Sequence, residues 1–425
     1  MSPDAPRGRG LLGAFGVYRD ARLLAIFGMG IASGLPLLLT TSTLAYWLAR
    51  EGLDTTSIGL FAAVGLPYAL KFLWAPVLDR VAWPGIGRLG RRRSWILATQ
   101  AGLVAAILAL GGAEPAARPL ATGLLALAIA FLSATQDVAV DAYRIEILGT
   151  HEQGPGAAAT QAGYRVGLVL AGAGAIALSD FVAWNLVFAS LAGVQALAML
   201  FVVAAPEPAP TAGASIADAP IARAWVEPLA DVLRWPRVGA ILAFALLYKL
   251  GDAVAGAMAS PFYVDLGFSG VEIASVTKVA GVAAQVVGIA AGGVLVARAR
   301  LGPALLVGGV LQAATNLLFS WLAGEGHDVA ALAVAVVADS FTGGVAATAF
   351  VAYFSGWSRG PYSASQYALL TSLMALGRAL FGAASGWLAA ELGWGAFFAL
   401  TAALALPGLA LIAVVPQPGE RGERS

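Results

Sequence analysis

The sequence predicts an all-α membrane protein with 12 transmembrane helices arranged in two six-helix halves. The chain of 425 residues is 59% hydrophobic and only 12% charged, whereas charged residues make up about 25% of an ordinary soluble domain. Continuous apolar stretches of about 20 residues, the length that one helix needs to cross a bilayer, follow one another along the chain. A transmembrane β-barrel is excluded, because its strands alternate apolar and polar residues over about 10 positions.

The apolar stretches form two groups of six, separated by a polar linker. The first group defines a half from 1 to 205, and the second defines a half from 238 to 425. The linker, 206–237, is rich in Pro, Ala and charged residues, and its part from Ile221 to Trp235 has the spacing of an amphipathic surface helix. The predicted spans are 23–48, 56–77, 95–113, 119–143, 157–179, 184–204, 238–260, 271–297, 302–323, 329–352, 364–389 and 394–415.

The composition also excludes several classes of protein. The chain has no Cys and only two His, His151 and His327, which removes thiolate metal sites, cysteine nucleophiles and most imidazole chemistry. No glycine-rich phosphate loop is present, so direct use of ATP is not expected. The net charge of +1 gives no reason to expect a nucleic-acid partner. We therefore expect neither an enzyme nor a metal or other cofactor.

The basic residues predict the orientation in the membrane. Of the Lys and Arg residues outside the predicted spans, all but Arg50 and Arg118 fall on the side that holds the N-terminus. Because cytoplasmic loops carry the excess of Lys and Arg, both termini are expected in the cytoplasm.

Two halves of six spans suggest the parallel repeat of the major facilitator architecture, whose substrate site lies between the halves near mid-membrane. The loop after the second span supports this: Asp79-Arg80 is followed by Gly90-Arg91-Arg92-Arg93, which resembles the loop signature of that superfamily with a short insertion. The corresponding loop of the second half retains only Arg298 and Arg300. Arg91 to Arg93 are also compatible with simple anchoring on the cytoplasmic side.

A closer resemblance is carried by motifs that run from the second span to the eleventh. These motifs are Leu66-Pro67-Tyr68-Ala69-Leu70-Lys71-Phe72-Leu73-Trp74-Ala75-Pro76, Leu78-Asp79-Arg80, Gly90-Arg91-Arg92-Arg93, Thr135-Gln136-Asp137, Asp141-Ala142-Tyr143-Arg144, Gly163-Tyr164-Arg165, Tyr248-Lys249-Leu250-Gly251-Asp252 and Gln366-Tyr367-Ala368-Leu369-Leu370. In this order they resemble the AmpG muropeptide permeases and their acetyl-CoA transporter relatives.

The resemblance implies import of N-acetylglucosaminyl-anhydromuramyl peptides from the periplasm, coupled to protons, for cell-wall recycling. It also implies a monomer in the bacterial inner membrane. The chain is shorter than the longer members of that family and has no room for their additional helices and C-terminal extension.

Apart from Glu272 at the start of the eighth span, nine charged residues lie inside the predicted spans and indicate the functional interior. Each costs about 2.5–3.5 kcal/mol at a helix centre unless it is paired or hydrated. The candidates for proton coupling are Asp137, Asp252 and Asp339, and Asp137 ranks first among them. Substrate binding is predicted for Lys71, Gln136, Tyr143, Arg165, Lys249, Gln366 and Arg378. A permanent salt-bridge network of Lys71, Asp137, Asp141 and Arg165, and hydrogen bonding between helices for the uncharged groups, are the structural alternatives.

Residues near the cytoplasmic helix ends are the candidates for gating. We expect Asp79 to pair with Arg144 when the cavity faces outward, and Glu146 to pair with Arg80 or with the run that includes Arg91 and Arg92. Such pairs bias a two-state equilibrium more than they hold the fold.

Three functions remain open from the residues alone. The first is a proton-coupled symporter of an anionic amphiphilic solute, with a muropeptide as the expected substrate. The second is a carrier of another such solute, acyl-CoA-like or siderophore-related, and the third is a membrane sensor that does not transport. Five interior basic groups against four acids favour an anionic ligand over a cationic drug.

Overall fold

The computed structural model describes residues 20–52, 61–83, 85–209, 223–383 and 385–418, and the regular elements in these ranges are helical. Within these described ranges, ten helices are long and apolar enough to cross a membrane. They are α1 (Ala21–Leu48), α3 (Arg91–Gly111), α4 (Pro119–Ile147), α5 (Gln153–Leu178), α6 (Trp184–Ala204), α7 (Val238–Ala259), α8 (Val271–Arg298), α9 (Leu301–Glu325), α10 (Val329–Trp357) and α12 (Ser385–Ile412). Ten of the twelve predicted spans are therefore confirmed.

The other two predicted spans are helical but do not meet the same criterion. The second, which we call α2, is divided into short pieces, with α-helix at Leu66–Leu70 and Ala75–Arg80 and 3₁₀ helix at Phe61–Gly65 and Lys71–Leu73. Pro67 and Pro76, which cannot donate a backbone hydrogen bond, begin the two α-helical pieces. The predicted residues 56–60 lie outside the described ranges.

The eleventh span, α11, runs over Ser363–Ala383. Its length is sufficient for a crossing, but polar residues such as Gln366 lower its hydropathy. Beyond it, α12 contains a non-helical residue at Gly393 (φ 71°), a left-handed conformation that glycine adopts without strain. The helix after this kink matches the predicted twelfth span.

The helices repeat along the chain with an offset of 210 residues. This offset relates the starts of α3 and α9, both ends of α4 and α10, and the starts of α5 and α11. It also relates two hydrogen bonds: the hydroxyl of Tyr143 donates to the Pro206 carbonyl at 2.8 Å, and that of Tyr353 donates to the Pro416 carbonyl at 3.0 Å. We therefore propose that the chain is divided as predicted, and we call α1–α6 the first half and α7–α12 the second half.

Close helix packing depends on small residues. A Cβ atom at Gly34 of α1 would collide with the carbonyl oxygen of Tyr164 on α5, and one at Gly288 of α8 would collide with that of Phe341 on α10. Across the halves, Gly154 at the start of α5 lies against Val296 near the end of α8. Helices α5 and α8 therefore contact each other across the halves at a position where glycine allows a close approach.

A linker helix, Arg223–Leu233, lies between the halves in the chain, as the amphipathic pattern predicts. It contacts both halves: the indole of Trp225 donates to the Leu73 carbonyl of α2 at 2.6 Å, and Asp231 accepts from the amide of Gln366 on α11, also at 2.6 Å. Its apolar residues Val226 and Leu233 are exposed, as expected for a helix whose other face meets lipid.

Most of the arginines that the structure describes lie at one end of the helix bundle. Here α2, α4, α8 and α10 end and α3, α5, α9 and α11 begin. We call it the basic end, and it carries Arg91, Arg92, Arg144, Arg298, Arg300 and Arg359.

Candidate functional site

A buried charge network holds the basic end together. Its centre is Arg92, which is fully buried and lies in the first turn of α3. The guanidinium contacts Asp79 of α2 at 2.7 Å and Glu146 of α4 at 2.5 Å, and it donates to the hydroxyl of Ser363 on α11 at 2.9 Å. Arg91 adds contacts to the Asp79 carbonyl and to Glu146. The planar guanidinium thus joins three helices of the first half to one of the second.

Asp79 also caps a helix of the other half. Its carboxylate accepts the backbone N–H groups of Ala364 at 3.1 Å and Ser365 at 2.8 Å, and the Ser365 hydroxyl at 2.5 Å. These N–H groups belong to the first turn of α11, where the helix dipole is positive and the donors have no partner within the helix. A single carboxylate therefore satisfies donors that the second half cannot satisfy itself.

The predicted pair of Asp79 with Arg144 is wrong for this conformation. Arg92 and the start of α11 occupy Asp79, while Arg144 donates to the Ser355 hydroxyl at 2.7 Å, lies 3.4 Å from Asp141 and stacks over the ring of Tyr367 at 5.3 Å. The contacts of Asp79 with α11 and the contacts of Arg144 with Ser355 and Tyr367 each join the first half to the second. Glu146 does pair with Arg91 and Arg92, as expected, and Arg80 is the last residue of α2.

Further contacts close the basic end around this network. Arg359, between α10 and α11, donates to the Thr150 hydroxyl at 2.5 Å and to the Leu148 carbonyl at 3.1 Å. Glu207, after α6, accepts the backbone N–H groups of Arg92 at 2.7 Å and Arg93 at 3.1 Å, and so caps α3. Burial raises the pKa of the Glu207 carboxyl above its ordinary value, against the opposing effect of those N–H groups.

The first interior cluster surrounds Lys71 and Asp137. Lys71 is buried at the 3₁₀ break of α2, and its charge acts on Asp137 of α4. No ion pair within 4.0 Å joins the two among the described residues, and the buried Oδ1 atom of Asp137 has no hydrogen-bond partner there. Arg165 of α5 is partly buried and makes no hydrogen bond or ion pair to the described residues. The cluster therefore holds charges that no other described residue neutralises at close range.

The second interior cluster is a connected network. Lys249 lies where α7 leaves helical geometry, and its ammonium group is 2.5 Å from Asp252 and 3.5 Å from the amide oxygen of Gln312. The Gln312 amide nitrogen donates to Asp339 of α10 at 2.8 Å, and the Thr315 hydroxyl donates to the same carboxylate at 3.2 Å. Lys71 and Lys249 thus both lie at breaks in helices, as is common where discontinuous helices form binding sites.

Three of the predicted substrate-binding residues are engaged elsewhere. Gln136 is fully buried and accepts from Gln195 of α6 at 2.9 Å, Tyr143 donates to Pro206, and Gln366 donates to Asp231 of the linker helix. The structure thus favours interhelical hydrogen bonding for these groups. The side chain of Arg378 lies outside the described residues, and Asp252 pairs with Lys249.

Sequence reasoning missed Gln312 and Thr315 of the second cluster and Ser363 and Ser365 of the basic end. A signal for the first pair was available, because Gln312, Thr315 and Asn316 are polar residues on one face of an otherwise apolar span. Among the described residues, no group of three or more His, Asp or Glu side chains is arranged to hold a metal ion.

Comparison with known proteins identifies the fold. The structure superposes on the human organic anion transporter MFSD10 with a TM-score of 0.64 and 18% identity, covering 95% of this chain and 100% of that one. It superposes on the proton:xylose symporter XylE with a TM-score of 0.69 and 11% identity, covering 95% of this chain and 97% of that one. Both are major facilitator proteins, so this chain has the major facilitator fold.

Sequence comparison is more specific. The profile of the family described as Acetyl-coenzyme A transporter 1 matches residues 23–113. The anhydromuropeptide permease of Escherichia coli K12 is 37% identical over 403 residues, covering 94% of this chain and 81% of that protein. A Rickettsia felis protein named as an AmpG transporter is 34% identical over 400 residues, covering 93% of this chain and 97% of that protein. The chain therefore belongs to the AmpG family of membrane permeases.

Proposed function

We propose that the protein is a proton-coupled symporter that imports anhydromuropeptides across the bacterial inner membrane. The observation that carries the proposal is the 37% identity with an anhydromuropeptide permease over 94% of the chain. The interior charges are compatible with it. Lys71, Arg165 and Lys249 provide cationic groups for the carboxylates of a peptide, and Asp137, Asp252 and Asp339 provide acids that can carry a proton.

The basic end is taken to be cytoplasmic, following the distribution of Lys and Arg. Hydrogen bonds between the halves close this end, so in this proposal the structure represents the state that receives substrate from the periplasm. Release into the cell then requires α11 to leave Asp79 and Arg92. In this proposal the gate consists of the six charged residues Asp79, Arg80, Arg91, Arg92, Arg144 and Glu146.

The test is uptake by the purified protein in proteoliposomes. Radiolabelled N-acetylglucosaminyl-anhydromuramyl tripeptide should accumulate when the outer medium is more acidic than the lumen and should only equilibrate without a gradient. Vesicles without protein correct for leakage. Equilibration with no effect of the gradient would leave a facilitator, and no uptake at all would reject the substrate.

One observation supports a second substrate class. Residues 23–113 match the profile of an acetyl-CoA transporter family, and acetyl-CoA is also an anionic amphiphile. Competition by unlabelled acetyl-CoA in the same assay distinguishes the two. Inhibition of muropeptide uptake by excess muropeptide but not by acetyl-CoA supports the first proposal, whereas direct uptake of labelled acetyl-CoA supports the second.

A further inference from the structure

Three hydroxyl groups converge on Asp137 in the first interior cluster. Ser33 lies on α1, Tyr68 lies on α2, and Ser133 lies on α4, one helical turn before Asp137. Residues four positions apart lie on the same face of a helix. The Ser33 hydroxyl acts on the Asp137 carboxylate, and the Tyr68 hydroxyl acts on both Asp137 and Ser133. Three helices therefore bring hydroxyls to one acid.

The hydroxyls and the acid share a second property. Each has a buried oxygen without a hydrogen-bond partner among the described residues: Oγ of Ser33, the phenol oxygen of Tyr68, Oγ of Ser133 and Oδ1 of Asp137. Ser133 is fully buried and Ser33 is 4% exposed. A buried polar atom lowers the stability of the fold unless it is paired. Neighbouring atoms of this kind are therefore expected to satisfy one another.

Several other hydroxyls within the spans bond to their own helix instead. Thr99 of α3 and Thr135 of α4 each donate to the carbonyl four residues earlier, at 2.8 Å. This is a common bond for Ser and Thr within a helix. Ser33 and Ser133 make no such bond, so their hydroxyls remain available to the carboxylate.

A hydroxyl can serve the acid in both of its protonation states. A carboxylate only accepts hydrogen bonds, whereas a hydroxyl donates one and accepts others. When Asp137 is ionised, Ser33 and Ser133 can donate to Oδ1. When Asp137 is protonated, the acid can donate and a hydroxyl can accept. Rotation of the hydroxyl hydrogen is sufficient for this change, whereas a lysine or arginine can only donate.

The charged and titratable groups near Asp137 come from three further helices and from α4 itself. Lys71 of α2 attracts the negative charge of Asp137, and Asp141, one turn further along α4, repels it. Arg165 of α5 belongs to the same interior cluster, and Tyr367 of α11 interacts with Asp141. Within the described part of the chain, none of these groups forms an ion pair with Asp137 within 4.0 Å. The hydroxyls are thus the described groups that can bond to Oδ1.

We propose that Ser33, Ser133 and Tyr68 are positioning residues that set the proton affinity of Asp137. Ser33 and Ser133 donate to the ionised carboxylate, and Tyr68 donates to Ser133 and orients it. Because the hydroxyls stabilise the ionised acid without a fixed ion pair, Lys71 remains available to the substrate. This role rests on the proposed proton coupling, and it adds the groups that determine the pH at which the proton binds.

The test measures protonation of Asp137 in the purified protein, without a transported substrate. Infrared difference spectroscopy follows the carbonyl band of the protonated acid over pH, and loss of the band in Asp137→Asn assigns it. In Ser33→Ala/Ser133→Ala the midpoint of this titration should rise by about one pH unit or more, because hydrogen bonds to the ionised form are lost. Tyr68→Phe keeps the ring and should raise the midpoint by less.

Thr99→Val is the matched control. It removes a buried hydroxyl that bonds to its own helix and is nearly isosteric, so its titration should equal that of the wild type. Thermal unfolding midpoints, measured in parallel, show which variants are folded. If the double variant does not fold, Tyr68→Phe and the single variant Ser33→Ala provide the test.

Four results would overturn the proposed role of the hydroxyls. The first is no titration of Asp137 in the wild type, and the second is a midpoint that none of the folded hydroxyl variants changes. The third is a fall in the midpoint, which would show that the hydroxyls favour the protonated acid. The fourth is an equal rise in Thr99→Val.

The uptake assay separates this role from the proposed function. A raised midpoint without uptake of the muropeptide would reject that substrate and retain the role of the hydroxyls. Gradient-driven uptake with an unchanged midpoint would retain the proposed function and reject the role of the hydroxyls.

Discussion

The carboxylate of Asp79, at the end of α2, accepts the backbone N–H of Ser365, at the start of α11, over 2.8 Å. This contact joins an acid of the first half to a helix terminus of the second. A carboxylate at a helix N-terminus is stabilised by the dipole and by the unsatisfied N–H groups together. The contact must break when the basic end opens, so its strength helps to set the balance between the two states.

The first prediction is that Asp79→Asn shifts this balance toward opening of the basic end. Loss of the charge removes about 0.3–2 kcal/mol of interaction with the start of α11, so the open fraction should rise by up to roughly 30-fold. The chain has no cysteine, so a single Ala364→Cys, buried in the closed state, reports opening. We expect faster maleimide labelling of this cysteine in Asp79→Asn than in the parent.

Asp180→Asn is the matched control, because Asp180 is exposed at the other end of the bundle. Equal labelling rates in the Asp79→Asn and Asp180→Asn backgrounds would show that Asp79 does not bias the equilibrium. Uptake by Asp79→Asn should also be lower than that of the wild type, since the outward-facing state is depleted.

The second prediction concerns Arg92. Its removal leaves the carboxylates of Asp79 and Glu146 buried without their common partner, and breaking a buried pair in this way costs about 3–5 kcal/mol. Arg92→Ala should therefore lower the thermal unfolding midpoint in detergent markedly, whereas Arg88→Ala, at an exposed position in the loop before α3, should change it little. Similar midpoints for the two variants would contradict a central role for Arg92.

The sequence predicts the architecture well because the hydrophobicity of membrane-spanning helices is a strong signal. A continuous apolar run is required wherever a helix crosses lipid, so ten spans follow from hydropathy alone. Hydropathy does not predict the breaks within α2, where Pro67 and Pro76 begin separate α-helical pieces. A neighbouring helix or water can satisfy the freed backbone groups, and sequence patterns do not reveal which.

The site is predicted less completely, because side-chain partners depend on how helices pack. Charged residues within spans identify Lys71, Asp137, Lys249, Asp252 and Asp339 as interior groups, since each must be compensated. The choice between Arg92 and Arg144 as the partner of Asp79 depends on a rotation of helices that spacing along one chain does not encode. Ser363 and Ser365 were missed because a small hydroxyl at a helix start is an ordinary feature.

The third prediction separates binding from stability at Arg165. Since its guanidinium makes no hydrogen bond or ion pair to the described residues, Arg165→Gln should not lower the unfolding midpoint. It should weaken binding of the anhydromuropeptide on the order of tenfold, the effect of one charge-assisted contact. Calorimetric titration of both proteins measures this difference.

Lys249→Gln provides the contrast for Arg165→Gln. It breaks the contact of 2.5 Å with Asp252 and leaves a partly buried carboxylate without its partner, so a lower unfolding midpoint is expected here. Unchanged affinity in Arg165→Gln would assign Arg165 a structural role, despite its lack of described partners.

The last prediction is that Asp137 carries the coupling proton. An acid in this role must exchange a proton as its surroundings change, so it should not be held by fixed partners. Asp252 is paired with Lys249, and Asp339 accepts from Gln312 and Thr315. Asp137, in contrast, faces the charge of Lys71 at longer range and has one oxygen without a hydrogen-bond partner among the described residues.

Substrate that binds Lys71 or Arg165 would draw positive charge away from Asp137 and raise its affinity for a proton, which couples the two ligands reciprocally. With one proton per substrate, a gradient of one pH unit supports accumulation of up to about tenfold. Asp137→Asn cannot bind that proton, so accumulation in proteoliposomes should fall to simple equilibration, while exchange of labelled for unlabelled substrate continues. Asp339→Asn, whose carboxylate is held by Gln312 and Thr315, should still accumulate substrate. Full gradient-driven accumulation by Asp137→Asn would transfer the role to Asp252 or Asp339, and loss of exchange as well would mean that the side chain is required for binding or movement rather than for coupling.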